Sequence, residues 1–192
     1  MSMIPRTLAG LALGLACAAA SAAPKDDLHA AFAKFLQAKS FRAAVTDVKN
    51  GETVSTMEYV APDRFRIKPA QGPQSLVVGD TMYMDMNGKL TPMPVPGVGR
   101  MVAQYRNQDF LAEVERGMQV QALGDDSVDG EAAKVYAYTV TQPMKADAKT
   151  WISQASGLPI QIESTGTFMG HTSTTRVRYS GFDDPSIRIE AP

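Results

Sequence analysis

Few side chains in this chain are spaced to do chemistry. The two histidines are His29, in an amphipathic stretch, and His171, beside Gly170 at a turn; neither has a nearby partner resembling a triad or a metal motif. Both read as surface residues. Asp125, Ser127, Asp129 and Gly130 imitate the opening of a calcium loop. The last position of that loop needs a bidentate Glu, but Tyr136 stands there, and the flanks read as strands. A hairpin turn rich in Asp explains these residues. Asp183-Asp184-Pro185 likewise reads as a strand terminator, and the glycines scatter among turns without forming a phosphate-cradling loop. The expectation is a non-enzyme with no catalytic residue, no metal and no cofactor.

Methionine is the residue used unusually. The chain has 11, and Met82, Met84 and Met86 fall on one face of a single alternating stretch, with Tyr83 and Asp85 on the other. Met57 lies in an earlier strand-like stretch, and Met93 and Met101 lie in an apolar connection. Met is unbranched and polarizable, so it fits apolar partners of variable shape; it also fills ordinary cores. The stripe alone fits either use.

The elements that would position these residues are mostly strands. Leu28, Phe32, Phe35 and Leu36 recur at helical spacing, which predicts one amphipathic helix from about Asp26 to Ala38. After Ser40 the period changes to two. Asn50-Gly51 and Asn87-Gly88 are hairpin signals, because a type I′ turn needs two residues tolerant of positive φ. Pro62-Asp63 turns the chain between a strand ending near Val60 and one carrying Phe65 and Ile67. The stretch from Thr91 to Arg106 holds Pro92, Pro94, Pro96, Gly97 and Gly99, which exclude a regular strand. It stays apolar through Met93, Val95, Val98, Met101, Val102 and Tyr105, so it must cover something. A short helix from Asp109 to Arg116 follows, with Asp109 as its expected N-cap. Five more strands fill the second half, with no alternation of strand and helix that would build a parallel sheet. The fold class is mainly β: one curved antiparallel sheet with a few helices. Such a sheet has too little helical surface to fill its concave face, which leaves room for a ligand.

The opening residues read as an address. Arg6 precedes a small, apolar run from Leu8 to Ala20, and Ala20-Ser21-Ala22 offers the small-x-small pattern that a signal peptidase reads. The run is too short to span the ~30 Å of hydrocarbon in a bilayer. Residues 1–22 are therefore expected to be a signal peptide cleaved after Ala22, leaving 23–192 as one periplasmic domain. Anchoring as a lipoprotein through Cys17 is the alternative, but the branched apolar residue wanted three positions earlier is replaced by Gly14. Cleavage after Ala22 would remove the only cysteine, and with it any disulfide or thiol nucleophile. Charge is nearly balanced, 19 Lys and Arg against 20 Asp and Glu, with no basic stripe in the sequence, so nucleic acid is not an expected partner.

Three stretches resemble a known family, the periplasmic lipoprotein carriers of the LolA/LolB type. Tyr59-Val60-Ala61-Pro62-Asp63-Arg64-Phe65-Arg66 is similar to the family's strand, Pro turn and aromatic return strand. Leu76-Val77-Val78-Gly79-Asp80-Thr81-Met82-Tyr83 resembles its apolar strand, turn and aromatic strand. Thr150-Trp151-Ile152, followed by Gly157-Leu158-Pro159-Ile160-Gln161-Ile162, resembles a strand pair common in these proteins. The resemblance implies an incomplete barrel of about eleven strands closed on one side by a lid of helices and loops. It also implies an apolar interior that holds the acyl chains of a lipid or lipoprotein, and a membrane-associated donor or acceptor protein as partner. Those carriers have an Arg immediately before the turn Pro, which helps to hold the lid; this chain has Ala61 there. Strand parity then gives an expected cavity lining of Met57, Tyr59, Phe65, Ile67, Met82, Met84 and Met86. Val95, Met101 and Val102 are expected on the lid. A slip of one residue would turn any of these strands inside out. The other use of such a fold is an envelope interaction or sensor module that carries no lipid.

Overall fold

A computed structural model describes residues 23–192 except Tyr105, Gly117, residues 142–144 and Met169. The expected signal peptide and Cys17 lie outside the described residues. Helix α1 (Pro24–Gln37) starts on a proline, whose missing N–H would be unsatisfied there in any case. Asp26 and Asp27 in its first turn complement the positive end of the helix dipole. Leu28 and Ala31 form its buried face, with Phe32 and Phe35 half-buried beside them.

The strands follow as β1 (Ser40–Asp47), β2 (Thr53–Val60), β3 (Arg64–Pro69), β4 (Ser75–Val78), β5 (Thr81–Met86) and β6 (Lys89–Met93). After two helices, α2 (Val98–Gln104) and α3 (Gln108–Glu115), come β7 (Val120–Val128), β8 (Glu131–Val140), β9 (Ala146–Ser153), β10 (Pro159–Phe168) and β11 (His171–Ser180). They form one eleven-stranded sheet in the order β6-β5-β4-β3-β2-β1-β11-β10-β9-β8-β7. Two meanders are joined through β1 and β11, and the sheet stays open at β6 and β7, an incomplete barrel as expected. The strands consecutive across the break, β6 and β7, are therefore the two opposite edges. The segment joining them has to travel from one edge to the other, and it carries α2 and α3.

Three local expectations are corrected. Pro92 lies inside β6 rather than excluding a strand, opposite Tyr83; β6 is an edge, where a missing N–H breaks no ladder bond on the open side. The N-cap of α3 is Asn107, whose side chain accepts from the Asp109 amide at 2.7 Å; Asp109 instead sits in the first turn. Asn87-Gly88 is the expected tight turn, with φ of 58° and 82°. Asn50-Gly51 is not: only Gly51 has positive φ, and the loop is held by Asp47 and Asn50 side chains accepting from the amides of Lys49 and Glu52.

Cross-strand partners share a face, so the register sorts the sheet into an inner side covered by helices and an outer side. On the inner side, Leu28 and Ala31 of α1 pack with Met118, Tyr136, Tyr138, Ala148 and Ile152. The other inner cluster joins Phe41, Ala43, Tyr59, Phe65 and Val77 to Val98 of α2. On the outer side, Val128, Ala133, Val135, Trp151 and Ile160 form a smaller core, and the Trp151 indole donates to Asp126 at 2.9 Å. The C-terminal segment lies on the outer side of β3. There Arg64 donates to the Ile189 carbonyl and Arg66 to that of Arg188, and Ile187 and Ile189 are buried.

Burial pushes the hydroxyls of Tyr138 and Tyr179 up to about 12. The unfolded side chains ionise near ~10, so the fold prefers the protonated form. This contribution is therefore intact below pH 10 and is lost as pH rises from there through about 12. Urea midpoints should hold constant from neutrality to pH 9 and fall between pH 10 and 12, and replacing Tyr138 by Phe should flatten that fall.

Candidate functional site

Two rows of side chains cross the inner face from the β1/β11 seam to the β6 edge. The first reads Phe41, Tyr59, Phe65, Val77, Met82 and Met93 across β1 to β6. The second reads Ala43, Met57, Ile67, Ser75, Met84 and Thr91. Along the first row, rigid aromatic rings give way to flexible Met. The aromatic end is tightly packed. Ring centroids are 5.1 Å apart for Phe41 and Tyr59 and 4.8 Å for Tyr59 and Phe65, and Phe35 of α1 stands 5.0 Å from both Phe41 and Tyr179. Phe182 closes the group 6.1 Å from Phe35. The methionine end is looser: Met57, Met82 and Met84 are half-buried, and Met86 and Met93 are exposed.

The lid is fixed over this face at three places. Its first helix meets the β4–β5 turn at Gly99, where an added Cβ would stand 2.5 Å from the Asp80 carboxylate and 2.8 Å from the Gly79 carbonyl oxygen. Its far end is held at Glu115, which is buried; His29 Nδ1 lies 2.7 Å from Glu115 Oε2, and Lys25 donates to the Glu115 carbonyl at 3.0 Å. Between these, Arg106 reaches down from the turn joining α2 to α3. Its Nη2 donates to the carbonyls of Phe35, Leu36 and Ala38, at 3.1, 2.9 and 3.2 Å. These are carbonyls at the end of α1, where the dipole is negative; the Phe35 carbonyl also accepts from the Ala38 amide, at 3.2 Å. The guanidinium carbon lies 4.3 Å from the centroid of Tyr59, 5.0 Å from Phe35 and 5.5 Å from Phe41. Among the described residues, its Nε and Nη1 are buried without a hydrogen-bond partner. The π faces of the three rings supply the compensating electrostatics for that part of the cation.

The residues expected to line a cavity fall as follows. Met57, Tyr59, Phe65, Ile67, Met82 and Met84 share the inner face, with Met86 following by alternation at its exposed rim. Val95 packs on the Phe41 cluster. Met101 is exposed on α2, and the side chain of Val102 lies outside the described ones. Arg106, Phe41, Tyr179 and Phe182 were not singled out by sequence, and Phe35 only as part of the apolar face of α1. Phe41 has the parity of Ala43 and was legible; Arg106 was not, although a cation closing an apolar run is the signal it leaves. Ala61 lies exposed in the turn, and its amide donates to the Lys39 carbonyl at 2.7 Å. The guanidinium that pins the lid thus comes from the lid itself.

Where the lid leaves the sheet edge, a cavity of about 720 Å³ opens between Asp80, Thr81, Met93 and the loop from Pro94 to Arg100. His171 opens β11 and is exposed. Among the described residues no group of three or more His, Cys, Asp or Glu is placed to hold a metal ion, and no helix is long and apolar enough to cross a membrane.

Neither a protein-family model nor a curated protein matches the sequence. Solved structures match its fold. The lipoprotein LppX of Mycobacterium tuberculosis superposes with a TM-score of 0.65 at 13% identity, over 86% of this chain and 97% of that one. LprF of Mycobacterium bovis gives 0.63 at 16% identity, over 88% and 96%. This likeness is one of fold, and the fold is the LolA-like one that the motifs resemble.

Replacing Arg106 with Met keeps the length and removes the donors to the part-buried Leu36 and Ala38 carbonyls, and a carbonyl left without a partner costs up to ~1–3 kcal/mol. Hydrogen exchange should then accelerate in α2, α3 and the last turn of α1, while the β8–β9 amides keep their protection. Gly99→Ala should cost ~1–3 kcal/mol by denaturant unfolding, because the Gly79 backbone must yield as well as the Asp80 side chain. Gly51→Ala, at a turn with positive φ but open space around it, should not disturb exchange in the lid.

Proposed function

We propose that this chain is a binding and carrier protein of the cell envelope, holding the acyl chains of a lipid or lipoprotein against the inner face of its sheet. The observation that supports it best is the graded apolar face: Met57, Met82 and Met84 are half-buried, and Met93, the cross-strand partner of Met82, borders a cavity of about 720 Å³ that the lid loop also lines. Ligand sites of this kind commonly have volumes of ~300–1,000 Å³. The chain would enter at the β5/β6 edge and run along Met82 and Met84 toward Ile67 and Met57. Room at the aromatic end would come from lifting the lid and withdrawing Arg106 from the rings.

Magnitudes favour such an exchange. Moving a methylene out of water contributes ~0.8 kcal/mol, so a sixteen-carbon chain gains on the order of 10 kcal/mol gross. A single latch such as Arg106 is worth a few kcal/mol at most, so the surplus can open the lid and still leave useful affinity after the ordering cost of binding. Release would need an acceptor that offers the chain an equally apolar place, which is the role of a membrane-associated partner protein. Envelope lipoprotein sorting is one pathway that fits this chemistry.

The packing of Phe35, Phe41, Tyr59, Phe65, Tyr179 and Phe182 favours a second reading. An inner face already filled with its own rings suits an interaction or sensor module that docks a protein by its lid or sheet edge.

Native mass spectra of residues 23–192 offered palmitate or a lysophospholipid separate the two. The carrier reading expects a discrete one-to-one adduct that Met84→Asp weakens about tenfold or more, with Lys134→Gln as an unaffected surface control. A clean apo mass at every ligand concentration would sink it and leave the interaction module.

A further inference from the structure

The outer face of β11, β1, β2 and β3 segregates charge as sharply as the inner face segregates apolar side chains. By register, Arg42 stands beside Glu58, and Glu58 beside Arg66; one row away, Arg178 stands beside Ala44, Ala44 beside Thr56, and Thr56 beside Lys68. Alternation adds Arg64 and Arg176 to the same side. These four strands thus present six cations and one carboxylate outward, on a chain whose overall charge is −1. Asp129, Asp184 and Glu163 reach in from neighbouring turns and from β10, and a positive excess remains.

The small residues Ala44 and Thr56 leave a hollow of about 320 Å³ in the middle of this face, walled by Arg42, Glu58, Arg66, Lys68 and Arg178. Two of the cations are already committed. Glu58 lies between Arg42, at 3.5 Å, and Arg66, at 2.5 Å, and Arg42 also pairs with Asp184 at 2.7 Å. The other two are freer. Arg178 donates to Gln161 at 2.8 Å and pairs with Asp129, whose side chain is 89% exposed, so the pair holds it weakly. Among the described residues Lys68 has no salt-bridge partner.

We propose that this hollow is an anion site for a phosphate group, gripped by Arg178 and Lys68 from opposite walls in the field of Arg42 and Arg66. A tetrahedral phosphate offers oxygens to donors converging from two sides, whereas a planar carboxylate is served by a single arginine fork. Glu58 already occupies such a position between Arg42 and Arg66. The inference does not depend on the inner face carrying an acyl chain. The phosphate could belong to a phospholipid headgroup at a bilayer surface or to a soluble phosphate ester.

Two probes distinguish these sources: vesicles of phosphatidylglycerol mixed into phosphatidylcholine, assayed by co-sedimentation, and glycerol phosphate, followed by amide shifts in β1 and β11. Vesicle binding alone, or binding of both probes, supports a headgroup site; binding of glycerol phosphate alone supports a soluble ester. In each supporting case, affinity should fall as salt is raised. It should also fall about tenfold or more in the double variant Lys68→Gln, Arg178→Gln. Ala44→Leu fills the hollow and leaves every charge in place, so it should cause a similar loss, with the melting curve of each variant confirming the fold. Palmitate uptake should be unchanged in all of them, which keeps this test separate from that of the carrier reading. Failure of wild-type protein to bind either probe overturns the proposal, as does full binding by the double variant or by Ala44→Leu.

Discussion

Topology sets the central constraint: the two strands that flank the break in sequence, β6 and β7, are the two outermost strands of the sheet. A chain that leaves one edge and must reappear at the other has to cross the open side of an incomplete barrel. The apolar, Pro- and Gly-interrupted stretch beginning at Thr91 is suited to that crossing, since it can bend sharply while keeping apolar side chains against the face below. Covering the inner face is therefore a consequence of the strand order, and its quality depends on where the crossing segment is pinned.

Arg106 is the pin that couples the parts. A guanidinium buried among Phe35, Phe41 and Tyr59 would be costly there without compensation. The carbonyls ending α1 and the three ring faces provide it together. One side chain therefore holds the lid, closes the end of α1 and locks the aromatic end of the inner face. Gly99 and Glu115 hold the two flanks of the lid, by close backbone approach and by polar contacts to α1. Moving the lid disturbs all three together, whereas the methionine side chains of β5 and β6 are themselves only half-buried or exposed. Rigidity and plasticity are thus placed at opposite ends of one face.

The fold was largely legible because period two and turn chemistry act locally. The meander, its face assignments and the hairpin at Asn87-Gly88 all follow from alternation and from residues tolerant of positive φ. The failures have physical causes too. Pro92 forbids a strand only when its missing N–H is needed, and the sequence does not reveal which strand becomes an edge. Asn107 and Asp109 are both good N-caps, and only the path of the backbone chooses between them. Arg106 was missed because its partners are carbonyls of α1 and rings on β1 and β2, far away in sequence. The outer hollow was hidden for a similar reason: Ala44, Lys68 and Arg178 come together only when two hairpins and the long-range β1–β11 pairing are in register.

The central claim is that a ligand takes the inner face by displacing the lid, and the distance between lid and sheet edge reports this most directly. Spin labels at Glu113 on α3 and Lys89 on β6, both exposed, should give one narrow distance distribution in the free protein. At saturating palmitate a second, displaced population should appear, and in Arg106→Met that population should be present before any ligand is added. An unchanged distribution in a sample shown to hold palmitate would contradict the claim, because the acyl chain would then be bound without moving the lid.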